Sequence, residues 1–258
     1  MPFDIIIQAR FNSTRLPQKI LYRFYDKTFL EFLIENLKTI KNVRHIIIAS
    51  PYGGFNKIFE KISKQNNVKF FSSKKIHVND LLSRYYYCAK KYKSKNIIRI
   101  TSDCPFINGR IVEKMISFYK KKKLNFLTNN KPRNIPLGFD CEILSYKLLE
   151  QTFKIAKSKF DKEHVTSFLW SNPKIFSIYH YCGRKLKYHS KKIRLTLDYY
   201  DDYVLIKKIF EKLYKKNKFF SLSEIVDLIQ KNKSLLKINE KYHKVQWLKF
   251  HSKRKKIK

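Results

Sequence analysis

Between Gln8 and Leu21 the chain reads Q-A-R-F-N-S-T-R-L-P-Q-K-I-L, which places Arg10, Arg15 and Lys19 in one short stretch with Ser13 and Thr14 between them. Polyphosphate binding asks for this set: guanidinium forks pair bidentately with phosphate oxygens, a lysine supplies a point charge, and loop amides add donors. Against that reading stands chance, because the chain carries 57 Lys and Arg residues. Two carboxylates form a second candidate set. Asp103 follows the apolar run at 96–101 and Asp198 follows the run at 193–197, and a carboxylate in such a setting is costly unless it meets a cation. The alternatives are a turn residue before Pro105 for Asp103 and a helix-entry cap for Asp198.

The elements that must position these residues are legible as periodicities. Residues 3–9 form a β-branched run ahead of a polar loop, and 43–49, 68–71 and 96–101 read as further buried strands. Helical patterns separate them. Residues 28–38 carry Thr28 as N-cap, Glu31 in a capping box, and Leu30, Leu33, Ile34 and Leu37 on one face. Helices are also expected from Gly53-Gly54 to about Lys64 and over 80–92. Alternating strands and helices of these lengths predict an α/β fold with a mainly parallel central sheet and helices on both faces. Asp103 then sits just past a strand's carboxyl end, where open α/β sheets bind their ligands. The second half is less regular: strands are expected at 126–129, 139–144, 175–181 and 193–197, and helices at 146–157, 201–215 and 221–231. No internal repeat is visible.

The formal charge of +37 resembles a nucleic-acid footprint, yet it is spread over a chain also rich in Asn, Ile, Phe and Tyr. A solvated lysine-rich surface accounts for it, with no specific nucleic-acid partner expected, and it should steer anionic substrates inward. The four cysteines are widely spaced without a C-x-x-C pair, so they are read as reduced, mostly buried apolar residues. No stretch is long and apolar enough for a membrane span, and the start lacks the order of a secretory signal, so a cytoplasmic protein without a membrane partner is expected. Residues 236–258 are read as a basic C-terminal tail, with the run at 249–258 left without structure.

In sequence order, the string I-I-Q-A-R-x-x-S-T-R-L-P-x-K resembles the signature loop of the cytidylyltransferases that activate sugar acids. These include the CMP-acylneuraminate and CMP-Kdo synthetases, and the chain most resembles their SpsF-type spore-coat polysaccharide relatives. The resemblance continues through N-D-L-L-S-R-Y-Y at 79–86, R-I-T-S-D-C-P at 99–105, G-F-D-C-E at 138–142, E-H-V-T at 163–166 and R-L-T-L-D-Y-Y-D-D at 194–202. Asn12 and Gln18 stand where the family usually has glycine, the first at a residue type that tolerates the left-handed region and the second at one that does so at a cost.

The resemblance implies a nucleotide-diphospho-sugar-transferase-like fold spanning residues 1–235, with a nucleotide-binding half at 1–125 and a sugar-binding and closing half at 126–235. It implies transfer of CMP from CTP to a sugar acid, with pyrophosphate leaving and Mg²⁺ as cofactor, for surface polysaccharide synthesis. Arg10, Arg15, Lys19 and Asp103 would be the catalytic residues, and Gln8, Ala9, Asn12, Ser13, Arg84 and Thr101 would join them in holding nucleotide. Asp103 and Asp198 would be the metal carboxylates, although Asp202 aligns better with the family's second acidic position. Asp140 and Glu142, alternating on an expected strand, could hydrogen-bond sugar hydroxyls or could be an ordinary surface pair. His164 could orient substrate or simply pack near a helix start. Arg84 and Arg99 could be ion-pair partners or could touch nucleotide or sugar acid. Members often dimerise through the second half, so a homodimer is compatible. The rival readings are a glycosyltransferase of the same fold, which would ordinarily carry a D-x-D motif absent here, and a basic RNA-binding module.

Overall fold

The computed structural model describes residues 2–130, 133, 135–182 and 193–243. Its centre is strand β1 (Phe3–Gln8), whose F-D-I-I-I-Q sequence is buried on both faces along most of its length. β1 pairs in parallel with β4 (Val43–Ala49) on one side and β6 (Asn96–Thr101) on the other. The hairpin-like pair β2 (Arg23–Phe24) and β3 (Lys27–Thr28) lies outside this sheet. β5 (Lys69–Phe71) extends the parallel side, while β8 (Glu142–Ser145) runs antiparallel between β6 and β7 (Phe126–Thr128). With β9 (Tyr179–His180) at the far edge, the order is β5-β4-β1-β6-β8-β7-β9.

The two-residue period of β1 divides the core. Ile5 and Ile7 face α1 (Phe29–Lys38) and α4 (Gly109–Lys121), burying Leu30, Leu33, Leu37, Val112 and Met115. Ile6 points the other way, toward α3 (Leu81–Lys91) and α5 (Tyr146–Ile155), where Leu82, Tyr85, Ala89 and Leu149 pack. α2 (Asn56–Gln65) covers the β4–β5 side with Phe59 and Ile62. A third cluster, rich in phenylalanine, joins α8 (Tyr200–Leu213) and α9 (Leu222–Lys231) to the start of α1 through Phe24, Phe29, Phe32 and Phe210. The α1 capping box forms as expected, with the Glu31 amide donating to Thr28 Oγ1 and Glu31 Oε2 accepting from the Thr28 amide.

Several expectations are revised, one of them in the first half, where α4 is a thirteen-residue helix capped by Asn108 in a stretch with no expected element. α6 (Lys159–His164) and α7 (Ser167–Ser171) occupy a segment with no predicted element. The strand expected at 139–144 begins only at Glu142, and that at 175–181 shrinks to β9. Residues 193–197 are not a strand: the Leu195 amide donates to the Leu137 carbonyl and the Leu197 amide to the Asp103 carbonyl, so loops take up the backbone bonds a ladder would use. At the other end, residues 236–243 are packed against the rest of the chain. α10 (Ser234–Lys237) leads into Asn239, whose Nδ2 donates to the Arg194 carbonyl and to Asp202, and Tyr242 stacks on Tyr199 with centroids 3.9 Å apart. The run at 249–258 lies outside the described residues.

All four cysteines are free thiols; Cys88, Cys104 and Cys141 are buried and Cys182 is exposed. Among the described residues no helix is long and apolar enough to cross a membrane.

Candidate active site

The loop after β1 is tethered at both ends. Its first residue, Ala9, gives its amide to the Ala49 carbonyl at 3.0 Å, so that amide belongs to the sheet and not to a ligand. Phe11 stacks on Phe55 with centroids 3.7 Å apart, and Leu16 buries itself in the phenylalanine-rich cluster. Asn12 keeps a negative φ, so it needs no glycine-like freedom. Gln18 is the residue that turns the chain, at φ 54 and ψ 21. A left-handed residue there sends Lys19 inward as the first residue of a short 3-10 turn, Lys19–Leu21.

Lys19 is 6% exposed and its ammonium bridges the two carboxylates singled out in the sequence. Nζ lies 3.0 Å from Asp103 Oδ2 and 2.9 Å from Asp198 Oδ1. Arg15 pairs with the same Asp198 oxygen, while Arg194 Nη2 donates to the other at 2.8 Å. Asp198 is therefore buried among three cations. Burial alone would push its carboxyl up, but Lys19, Arg15 and Arg194 outweigh that and hold it far below the ordinary carboxylate range. Burial likewise opposes the charge on Lys19, and Asp103 and Asp198 overcome it, raising the ammonium above its usual value. Asp202 serves a different purpose: its Oδ2 accepts the Asp198 and Tyr199 amides at 3.0 Å each, capping α8, and both its oxygens accept from Arg194.

Arg15, Asp103, Arg194 and Asp198 line a cavity of about 450 Å³ at the carboxyl ends of β1 and β6, and Lys19 and Asp202 are not among its lining residues. Gln8, Thr101 and Asp103 form its floor, Arg194, Thr196 and Asp198 one wall, and Glu163 and His164 the other. The His164 ring lies 4.4 Å from that of Phe160, centroid to centroid. Between that wall and the sheet the backbone is strained. Val165, a β-branched residue, adopts φ 53 and ψ −62, and the Thr166 amide donates to the His164 carbonyl at 2.5 Å.

Asp140 and Glu142 do not share one strand face. Asp140 precedes β8, lines the cavity and takes both Nη groups of Arg133, at 2.5 and 3.0 Å. Glu142 opens β8, is 2% exposed, and accepts from Arg99 Nη1 at 2.8 Å and from Thr166 Oγ1 at 3.1 Å, which makes it an internal brace. Arg99 also donates to Gln8 Oε1 at 3.0 Å, so Gln8 is tied to the same brace. Ser13 is buried within the loop, Arg10 and Asn12 are exposed, Arg84 is buried in α3, and none of the four lines the cavity. Arg194, Thr196, Tyr199 and Asn239 were given no role from sequence. Arg194, Thr196 and Asp198 alternate along an extended stretch, a spacing that could have exposed the first two, whereas nothing local points to Asn239.

A cation-rich loop, a carboxylate pair of which Asp198 is buried, and a cavity at the carboxyl ends of β1 and β6 suit nucleotide chemistry on an α/β sheet. Residues 5–242 match the model of one family, described as Cytidylyltransferase. An uncharacterized protein of Methanocaldococcus jannaschii, MJ1063, is 30% identical over 236 residues, 91% of this chain and 93% of that protein. Spore coat polysaccharide biosynthesis protein SpsF of Bacillus subtilis is 26% identical over 232 residues, covering 88% of this chain and 93% of its own. Among solved structures, a cytidylyltransferase from Leptospira borgpetersenii superposes with a TM-score of 0.83 at 33% identity, over 92% of this chain and 97% of that one. The fold is shared more distantly with a CMP:2-keto-3-deoxy-manno-octonic acid synthetase complexed with CTP, at a TM-score of 0.62 and 14% identity over 82% of this chain and 99% of that one. With residues 5–242 matched by one family model and a relative 30% identical over nearly the whole length of both chains, this chain belongs to the cytidylyltransferase family.

Proposed function

We propose that the protein transfers CMP from CTP to a hydroxyl of a sugar acid, releasing pyrophosphate, as a step toward a surface polysaccharide. The observation that carries this reading is Lys19, a buried ammonium from the phosphate loop set between Asp103 and Asp198, which are distant from it in sequence. The names of the SpsF relative and of the synthetase complexed with CTP support the nucleotide and the sugar acid.

In this reaction a sugar oxygen attacks the α-phosphate in line with the departing pyrophosphate, so the protein contributes mostly positioning and charge. Arg10, Arg15 and Lys19 neutralise the triphosphate and the leaving group, while Ser13 and Asn12 shape the loop around it. Thr101 and Gln8 form the floor below the reacting phosphorus. His164, Glu163 and Asp140 border the part of the cavity left for the sugar, and Glu142 acts through Arg99 and Thr166 as a positioning residue.

Mg²⁺ fits the donor set. It is commonly held by one or two carboxylates together with substrate phosphates, and Asp103 and Asp198 stand on either side of a single nitrogen. When bound there, it would polarise phosphoryl oxygens. Asp103, the more exposed of the two, would be the first ligand, and Asp198 would become available as Lys19 turns to the phosphates.

The test is pyrophosphate release from each nucleoside triphosphate with Mg²⁺ and a panel of sugar acids, comparing wild type with Asp103→Ala. Release is expected with CTP and one sugar acid and should vanish in the variant. If no pair gives release, and CTP with Mg²⁺ also leaves the melting temperature unchanged, the reading is wrong.

A further inference from the structure

Thr196 stands on the cavity wall between Arg194 and Asp198. Leu195 and Leu197 are fully buried in the phenylalanine-rich cluster, so the residues that alternate with them face the other way and line the cavity. The backbone of this stretch is held on both edges. The Leu195 amide donates to the Leu137 carbonyl and the Leu197 amide to the Asp103 carbonyl, each at 2.8 Å. Gly138, at φ 108, lets the neighbouring loop press against it, since a Cβ there would fall 2.5 Å from the Leu195 carbonyl.

Thr196 is 4% exposed, and its Oγ1 is buried without a hydrogen-bond partner. Among the described residues Asn239 Oδ1, His243 Nε2 and Arg99 Nε share that condition. Neither Asn239 nor His243 lines the cavity, and the Arg99 guanidinium is already committed to Glu142 and Gln8. Thr196 lines the cavity and has its single polar side-chain atom unmet. A buried hydroxyl without a partner forfeits the bonds it made to water in the unfolded chain, and valine would fill the same space without that loss. Such a hydroxyl is retained where a ligand completes it. One staggered step about Cα–Cβ exchanges its hydroxyl and methyl, so a ligand lying against the wall can draw Oγ1 to itself.

The neighbours indicate the ligand. Asp140, two residues past Gly138, and Glu163 line the same cavity, and ionised carboxylates only accept hydrogen bonds, which suits a ligand rich in hydroxyl donors. The cation-rich loop meets this wall at Asp198, two residues and about 7 Å further along the extended chain. Arg194, on the other side of Thr196, has its charge spent on Asp198 and Asp202.

We propose that Thr196 is a specificity-determining residue whose hydroxyl hydrogen-bonds a hydroxyl of the acceptor sugar acid, and not the nucleotide. The inference rests on the cytidylyltransfer reading.

The experiment measures pyrophosphate release with CTP, Mg²⁺ and the panel of sugar acids, 3-deoxy-manno-octulosonate and N-acetylneuraminate included, together with melting of the free protein, for wild type, Thr196→Val and Thr196→Ser. Thr196→Val keeps the shape and drops the hydroxyl, so it should raise the KM for the acceptor about tenfold, the loss of one hydrogen bond, with the KM for CTP unchanged. Without ligand it should melt at or above the wild-type temperature, because no bond within the protein is lost. Thr196→Ser keeps the hydroxyl and should stay close to wild type. An unchanged acceptor KM in Thr196→Val, a rise in the KM for CTP in its place, equal losses in Thr196→Val and Thr196→Ser, or a free Thr196→Val that melts well below wild type would each overturn the inference while leaving wild-type pyrophosphate release, and with it the cytidylyltransfer reading, intact. If wild type releases pyrophosphate with none of the sugar acids, that reading fails and takes this inference with it.

Discussion

At the scale of single residues, Asp198 concentrates the electrostatics of the site. Replacing it with alanine leaves Lys19, Arg15 and Arg194 without their shared partner, and breaking such a buried set costs about 3–5 kcal/mol. Urea unfolding of Asp198→Ala should show that loss. The pH dependence has a definite sign. The native carboxyl is held below its ordinary value of 3.8, so its contribution is complete above that pH and is lost as pH falls toward the native value. The stability gap between wild type and Asp198→Asn should therefore be widest near neutrality and narrow below pH 3.8. Gln18 offers the opposite case. Its left-handed backbone is one glycine adopts freely, so Gln18→Gly should stabilise the protein by about 0.5–1 kcal/mol once the extra freedom of glycine in the unfolded chain is counted. The sequence pointed to both family glycine positions, but only the structure shows that Gln18, and not Asn12, makes the left-handed turn.

At the scale of elements, the four parallel strands and the helices α1 to α3 were readable because each announces itself within a few residues: apolar runs, a two-residue alternation, a capping box at Thr28. The second half was not, for two reasons. β8 inserts antiparallel between β6 and β7, a pairing that local pattern does not encode. The stretch through Arg194 is extended yet bonds to loops, so its apolar alternation mimics a strand. α4 is a different kind of omission, since Val112, Met115, Ile116 and Tyr119 do follow a helical period. The segment after α9 carries a prediction of its own. Asn239 donates at 3.0 Å to the Arg194 carbonyl and at 2.8 Å to Asp202, and so fixes the residues that hold Asp198. Asn239→Ala should lower stability by about 2 kcal/mol, from two lost buried hydrogen bonds, and lower kcat while leaving the KM for CTP little changed. A chain ended at residue 235 should lose more, because the Tyr242–Tyr199 stack goes too.

At the scale of the whole molecule, a charge of +37 means that most surface lysines see like neighbours. Self-repulsion of this kind is screened by salt, so the melting temperature should rise between about 0.05 and 0.5 M NaCl, and any RNA carried through purification should be released over the same range. A protein whose stability fell with added salt would show that paired charges outweigh the surplus. The cysteines bear on how the assembled molecule can be observed. Burial pushes the Cys88, Cys104 and Cys141 thiols up, so they are both shielded and poor thiolates, while Cys182 at the end of the β9 edge is open to solvent. A thiol-reactive dye added to the folded protein should attach once per chain, and four times in denaturant. The natural sequence thus carries a ready-made attachment point on its less regular half, from which a fluorophore could follow substrate binding without any engineered cysteine.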